Sequence, residues 1–576
     1  MQEGKMYFDF LVPVPESKGK ITYRKARDTS YVYYEIDRKY DPQKRYTNVR
    51  RVTIGKLSKN DSTMMQPNEI FMKYFPDTVL PEEKDRSKRS SCLRVGTYIV
   101  IRKILNDCKI PEILRLYFNE KDVGLFLDFA AYSIVTENNA AQYYPDYAYN
   151  HALFTEGMRL YSDTKLSDFF RGITDDQNVG FLNTWNESRD HREKVYLSYD
   201  STNKNCQAGD IEMLEFGNAK DDPGKPIYNY AIAYDTKNQE PLFYERYPGS
   251  INDVSQLQYM VAKVQGYGYR KIGFILDRGY FSRSNIEYMD ECGYSFVIMV
   301  KGMAGFVNEL VLENKGSFEN KRIHNISEYR VYGKTIKKKL YVTDEKERYV
   351  HIYHSIEKES AERSILESRI EDMTKFLKKH RNEFKEFGST FEHYFDLYHD
   401  EEDGRFLFPL EKPAVIEREI DLCGYFCIIT SEKMTAKEAI NLYKSRDASE
   451  KLFRGDKSYL GNRSPRVQSG ESAAAKIFIE FVALIVRNRM YTCLKEALKN
   501  MEKRPNYMTV PAAIRELEKI EMVRQLDGVY RLDHAVTAVQ KNILSAFGLD
   551  AAMVRYRADE ISGILKTEET KSRKGE

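Results

Sequence analysis

No stretch of this sequence is apolar for long enough to cross a bilayer. The most apolar run, Ile477 to Val486, falls far short of the ~20 residues a spanning helix needs, and Lys476 and Arg487 flank it. Met1 to Phe10 carries charge and no apolar block, so neither a secretory leader nor a membrane partner is expected. Cysteine is scarce: the seven residues at 92, 108, 206, 292, 423, 427 and 493 form no Cys-x-x-Cys pair. An odd number argues against a disulfide framework, and reduced thiols in a cytoplasmic protein are the expectation. An excess of one charge is missing too. Lys and Arg number 90 against 87 Asp and Glu, a balance shared by many enzymes that never touch nucleic acid. Neither a Gly-rich nucleotide loop nor a serine or cysteine nucleophile constellation is present, so ATP is not implied. Tryptophan occurs once, at Trp185.

What is there suits a folded, multidomain α/β protein. The 576 residues are 42% hydrophobic and 13% aromatic, with 43 Tyr, enough for a sizeable core and too long for a single one. The local charge is less even than the total. Between Lys18 and Lys59 stand 13 basic and 4 acidic residues among tyrosines, a pattern that suits DNA phosphates or simply a solvated basic face.

Along the chain, ITYR, YVYYEID and VRRVTIGKL read as strands of a basic β-rich domain over 1–80. The run from Pro81 to Ser91 has no periodicity and reads as a linker. Apolar spacings of three and four predict a helical domain over 92–190. From Lys194 three strands follow in quick succession, KVYLSYD, IYNYAIAYDT and EPLFYERY. A helix from Asp253 to Val264, the strand KIGFILD, a helix from Ser284 and the strand YSFVIMV come next. Three meandering strands followed by helix and strand in alternation is the ribonuclease H-like order, a mixed sheet flanked by helices, expected over 191–300. The rhythm breaks over 301–420, which reads as an inserted domain. It resumes over 421–490 with CGYFCIIT and a helix capped by Thr435 with Glu438 three residues on. Over 491–576 a helical region is expected. In it MTVPAAIRELEKIEMV and a hairpin about Asp527-Gly528 read either as a winged-helix unit or as ordinary packing, and the tail from Lys566 reads as lacking regular structure.

Two aspartates stand at matching places: Asp200 closes KVYLSYD and Asp277 closes KIGFILD. A lone Asp there is most simply a cap or turn residue. Two on adjacent core strands point elsewhere, because like charges held close need a bound cation or a raised pKa. The segment LYKSRDASEKLFRGDK adds Tyr443, Arg446, Glu450 and Lys457 at spacings of three, four and seven, which at about 100° per residue places them within one narrow helical stripe. Such a stripe is a solvated face or the lining of a cleft. His351 and His354 alternate along a strand and would face opposite sides, which disfavours a zinc site.

Tyr443-x2-Arg446-x3-Glu450-x6-Lys457 resembles the Y-R-E-K signature of bacterial insertion-sequence DDE transposases of the insertion sequence four superfamily, in its long sixteen-thirty-four-like branch. YDSTNKN around Asp200 and ILDRGYFS around Asp277 resemble the family's first and second motifs, and FGNAKDD, PLFYERYPGSINDVSQL and VRRVTIGKL follow its order. The resemblance implies a ribonuclease H-like catalytic core interrupted by an insertion. Asp200, Asp277 and Glu450 would be catalytic residues and ligands of two Mg²⁺ ions, with Mn²⁺ a possible substitute. Two ions about 3.5–4 Å apart stabilise both the attacking and the leaving oxygen of a phosphodiester displacement. The resemblance further implies that Tyr443, Arg446 and Lys457 hold DNA phosphates, with Arg278, Arg50 and Arg51 as further DNA contacts. The implied partners are double-stranded DNA, at terminal inverted repeats and at a target, and a second copy on paired ends, in the bacterial cytoplasm at the nucleoid. Alternatives are a nuclease of the same fold that cuts without joining, and a domesticated DNA-binding protein; the three carboxylates disfavour the latter. Two features depart from the family. The insertion has no Trp on which to stack a flipped base, a place Phe306 could take, and the segment after Lys457 lacks the His often seen in relatives.

Overall fold

A computed structural model describes residues 7–8, 10–17, 19–26, 28–42, 46–80, 89–189, 194–206, 211, 213–217, 224–251, 253–301, 303–461, 464–467, 469–502 and 505–574. The chain divides into two compact units, Met1–Ile173 with Arg489–Glu576, and Thr174–Asn488. Among the described residues no helix is long and apolar enough to cross a membrane.

The first unit opens with strands β1 (Val12–Pro13), β2 (Ile21–Ala26), β3 (Thr29–Asp41), β4 (Tyr46–Leu57) and β5 (Met64–Pro67), in the antiparallel order β1-β5-β4-β3-β2. Alternation in β3 and β4 turns Val32 and Ile54 inward onto Val12, Met65 and Phe71, while the last four residues of β2 stay in solvent. Most of the linker, residues 81–88, lies outside the described residues. Strand β6 (Cys92–Arg94) then leads into helices, of which Glu120–Thr136 is buried over most of its length.

The second unit is built on one nine-stranded sheet. Its strands are β7 (Val195–Asn205), β8 (Ile227–Asp235), β9 (Glu240–Pro248), β10 (Ile272–Leu276), β11 (Ser295–Met299), β12 (Asn325–Ile326), β13 (Val331–Lys338), β14 (Arg348–His354) and, after the pair β15 (Phe395–His399) and β16 (Phe406–Glu411), β17 (Tyr425–Thr430). The order is β12-β13-β14-β17-β11-β10-β7-β8-β9. Only β7 with β10 and β10 with β11 run parallel, and the sheet is therefore mixed. Strands β8 and β10 are buried from end to end, as strands covered on both faces must be. The apolar run Ile477–Val486 is a wholly buried stretch of the helix Gly470–Lys499.

Residues 301–420, expected as one insertion, take two different places. The first part joins the main sheet: β14 pairs with β17 over six residues, and β13 and β12 extend it outward. Only the later part, the helix Ile356–Lys379 with β15 and β16, makes a core of its own around Leu366, Ile370, Met373, Leu377 and Phe406. Long-range pairing set this division, and no local pattern carries it.

From Arg489 the chain is again part of the first unit, which adds the helix Val510–Leu517 and strands β18 (Glu521–Arg524) and β19 (Tyr530–Leu532), a hairpin turned at Gly528 with φ 77°. Strand β6 pairs with β18, so the segments 92–190 and 491–576, expected apart, share a three-stranded sheet. The tail from Lys566, expected to lack regular structure, instead continues the helix Ala551–Lys574.

Candidate active site

The second unit brings its carboxylates together through strand register. Parallel pairing aligns Ile272 with Val195 and Leu276 with Tyr199, which sets Asp277 beside Asp200 one residue further on. This alignment needs a close approach, since a Cβ at Gly273 would meet the Tyr196 ring at 2.3 Å. Asp200 does not close its strand, contrary to the expectation from sequence: β7 continues to Asn205, because Ser201–Asn205 keep pairing with β8. Asp200 sits instead where β7 loses its partner β10 and one strand edge opens. Each aspartate also accepts a local backbone bond, Asp200 Oδ1 from the Ser201 N–H at 2.9 Å and Asp277 Oδ1 from the Arg278 N–H at 2.8 Å.

The Y-R-E-K segment is not one helix. A capping box at Thr435 and Glu438 starts the helix Ala436–Lys444, which ends in a turn at Ser445 and Arg446. A second helix, Asp447–Arg454, follows and passes into a π-helical turn, Gly455–Tyr459. The single stripe is corrected accordingly: Tyr443 ends one helix, Arg446 caps the next, Glu450 lies on it and Lys457 lies in the π turn. The turn nevertheless brings two of the four, Tyr443 and Arg446, to Asp277, and a third, Glu450, to Arg446. Arg446 Nη1 is 3.2 Å from Asp277 Oδ1, its Nη2 is 2.7 Å from Glu450 Oε1, and the Tyr443 hydroxyl is 3.5 Å from Asp277 Oδ1.

Burial works against the Arg446 charge, yet Tyr443, Asp277, Asp200 and Glu450 together hold its pKa above the ordinary arginine value. Tyr443 packs in the core with Ile275, Tyr353 and Ile440, and burial pushes its hydroxyl up so that it stays protonated. Glu450 is about half exposed, and Arg278 is exposed directly after Asp277. Tyr280, another residue near the second motif, is buried against Tyr199.

Among the described residues no three His, Cys, Asp or Glu side chains converge as a metal-binding group. Here a guanidinium lies between two of the carboxylates. Asp277 and Glu450, which share that cation, offer carboxylate oxygens, the donors a hard divalent ion takes. His351 donates to or accepts from Thr335 Oγ1 at 2.9 Å and Thr430 Oγ1 at 3.0 Å, and His354 Nε2 meets Glu359 at 2.9 Å.

Arg50 and Arg51 belong to the other unit, on β4. Arg50 is exposed, and Arg51 lies 3.6 Å from the buried Glu35, which Arg38 also holds at 2.6 Å.

Sequence reasoning missed a buried charge cluster. Lys204 Nζ on β7 is 2.8 Å from Asp456 Oδ2 and 3.5 Å from Glu480 Oε2, and Tyr230 lies under it at 4.5 Å. The signal was STNKN, a polar run continuing a strand whose neighbours are apolar, and every residue of it is buried.

A family model described as a transposase DDE domain matches residues 195–486. No curated protein matches the chain. Among solved structures, the cryo-EM structure of a piggyBac transposase synaptic complex with hairpin DNA is 10% identical, with a TM-score of 0.37 over 82% of this chain and 85% of that one. The crystal structure of a pre-cleavage Mos1 transpososome is 8% identical, with a TM-score of 0.14 over 40% of this chain and 66% of that one.

Proposed function

The chain belongs to the transposase DDE-domain family, and from that premise we propose that it is the transposase of an insertion sequence, binding terminal inverted repeats in double-stranded DNA, cutting there and joining the freed 3′-hydroxyl to target DNA. It is an enzyme of the DDE transposase type, and such domains use divalent metal ions. The observation that carries the residue assignment is the Arg446 guanidinium between Asp277 and Glu450, within the field of Asp200. Two carboxylates bridged by a cation, with a third on the neighbouring strand close enough to act on its charge, supply the acidic side chains a metal-dependent phosphodiester enzyme needs.

In this reading Asp200, Asp277 and Glu450 are the metal ligands and Mg²⁺, as two ions, is the working metal, with Mn²⁺ an accepted substitute. The bound ions supply charge stabilisation to the attacking and leaving oxygens. Tyr443 fixes Asp277 from the core side. Arg446 turns from its carboxylates to DNA phosphate when the site is loaded, a contact its planar fork suits, and Lys457 holds a neighbouring phosphate. Arg278 extends that surface, and Arg50 and Arg51 on β4 engage DNA from the other unit. The run β9-β8-β7-β10-β11, three antiparallel strands and then two parallel ones, supports a ribonuclease H-like core. The Y-R-E-K spacing supports the insertion sequence four superfamily, and action on paired ends implies a homodimer on DNA.

Asp200→Asn, Asp277→Asn and Glu450→Gln each remove a ligand charge at nearly constant volume. Each is expected to abolish cleavage of end-containing DNA in Mg²⁺ while leaving the protein folded and DNA-bound. Near-wild-type cutting by any one of them removes that residue from the site.

A further inference from the structure

We propose that Lys204, Asp456 and Glu480 form a buried positioning device that sets the π-helical turn, and with it Lys457, against the strand that carries Asp200. The inference rests on the reading of Lys457 as a phosphate contact at the cleavage site.

The three side chains are 1%, 0% and 2% exposed and come from three elements: β7, the π turn and the helix Gly470–Lys499. Each end of the link touches the proposed site. Lys204 lies four residues beyond Asp200, a spacing that returns a strand to the same face, and Asp456 directly precedes Lys457. The helix grips the turn a second time, because Arg487, two turns beyond Glu480, covers the Tyr459 ring at 4.5 Å. The Asp456 end of the five-residue turn is thus tied to this helix face through Lys204, and the Tyr459 end directly through Arg487.

Stability alone does not account for this arrangement. Desolvating three ions is costly, and well-packed apolar residues of similar volume generally serve stability equally well. An ion cluster does enforce one register between the elements that supply it. A π turn is where such enforcement matters, since its wider winding shifts the phase of every residue after it, Lys457 among them.

The test removes the charges at nearly constant shape, as Lys204→Met, Asp456→Asn and Glu480→Gln together, and reads both melting temperature and cleavage of end-containing DNA in Mg²⁺. The triple variant should melt within a few degrees of wild type and cleave about ten- to a hundredfold more slowly, the scale of loss from a misplaced group. Its loss should also overlap that of Lys457→Ala, so that adding Lys457→Ala to it costs little more. Asp456→Glu, which keeps every charge and lengthens the link by one methylene, guards against a misfolded triple variant and should show the same overlap. Losses that add independently, or full cleavage by the uncharged cluster, overturn the positioning role while leaving Lys457 at the site. Full cleavage by Lys457→Ala overturns the reading of Lys457 itself, and this inference with it.

Discussion

Arg446 is the residue on which the proposed site turns. Its side chain is 13% exposed and answers two carboxylates at once, whereas Lys451, on the same helix, is exposed. Replacing Lys451 by Ala should change stability by under about 0.5 kcal/mol and barely alter cleavage. Arg446→Ala should cost about 1 kcal/mol, because its partner Glu450 is half in water, and should lower cleavage far more than that loss explains. It also leaves Asp277 and Glu450 facing each other without a cation. Added Mg²⁺ should therefore raise the melting temperature of Arg446→Ala by more than it raises that of the wild type. Equal cleavage defects in the two variants would reduce the helix to a source of diffuse positive charge.

At the scale of elements, local patterning read well where the chain is local. The cap at Thr435 and Glu438, the apolar strands β10, β11 and β17 and the helix Asp253–Gly266 all stand close to where periodicity predicts them. The neighbourhood of Asp200 and Asp277 was legible too, because both follow apolar runs of similar length. The continuous stripe failed for a simple reason: a helical wheel assumes 100° per residue, and the turn at Ser445–Arg446 and the π turn each reset that phase. The share of residues 301–354 in the main sheet was not legible, because pairing partners such as Ile352 and Cys427 are remote in sequence. The hairpin of β3 and β4 carries its own expectation. Its segment, residues 18–59, concentrates positive charge, with Arg24 against Tyr33 and Lys56 against Tyr7. If it contacts phosphates, deleting it should weaken end binding and flatten the dependence of binding on salt concentration. An unchanged salt slope would return it to a solvated face.

For the molecule as a whole, the two units carry buried groups that titrate in opposite senses. In the first, burial pushes Asp128 up to about 7, outweighing the N–H groups of Phe154 and Thr155 and the charge of Arg89. The unfolded chain, with an ordinary aspartate, loses its proton near pH 4, so this contribution to stability is complete below about 4 and declines as pH rises to about 7. In the second, burial lowers His351 to about 4. Unfolded histidine binds a proton near pH 6.5, so stability from this group is complete above about 6.5 and is lost as pH falls toward 4. Hydrogen exchange between pH 7 and 4 should show protection around Asp128 rising on acidification and protection along β14 falling. Asp128→Asn and His351→Gln should each flatten their own trend, and parallel trends in both units would contradict these assignments.

The place of β17 in the sheet also bears on how the protein is made. That strand lies between β14 and β11, yet it leaves the ribosome after both of them. From Met299 to Tyr425, at about 5–20 residues per second, β11 waits roughly 6–25 s with one edge unpaired. An apolar strand held open that long is a template for pairing with other chains. Messages truncated before the codon for Tyr425 should therefore yield aggregated product, and slower translation through residues 300–424 should lower the soluble yield of the full-length protein.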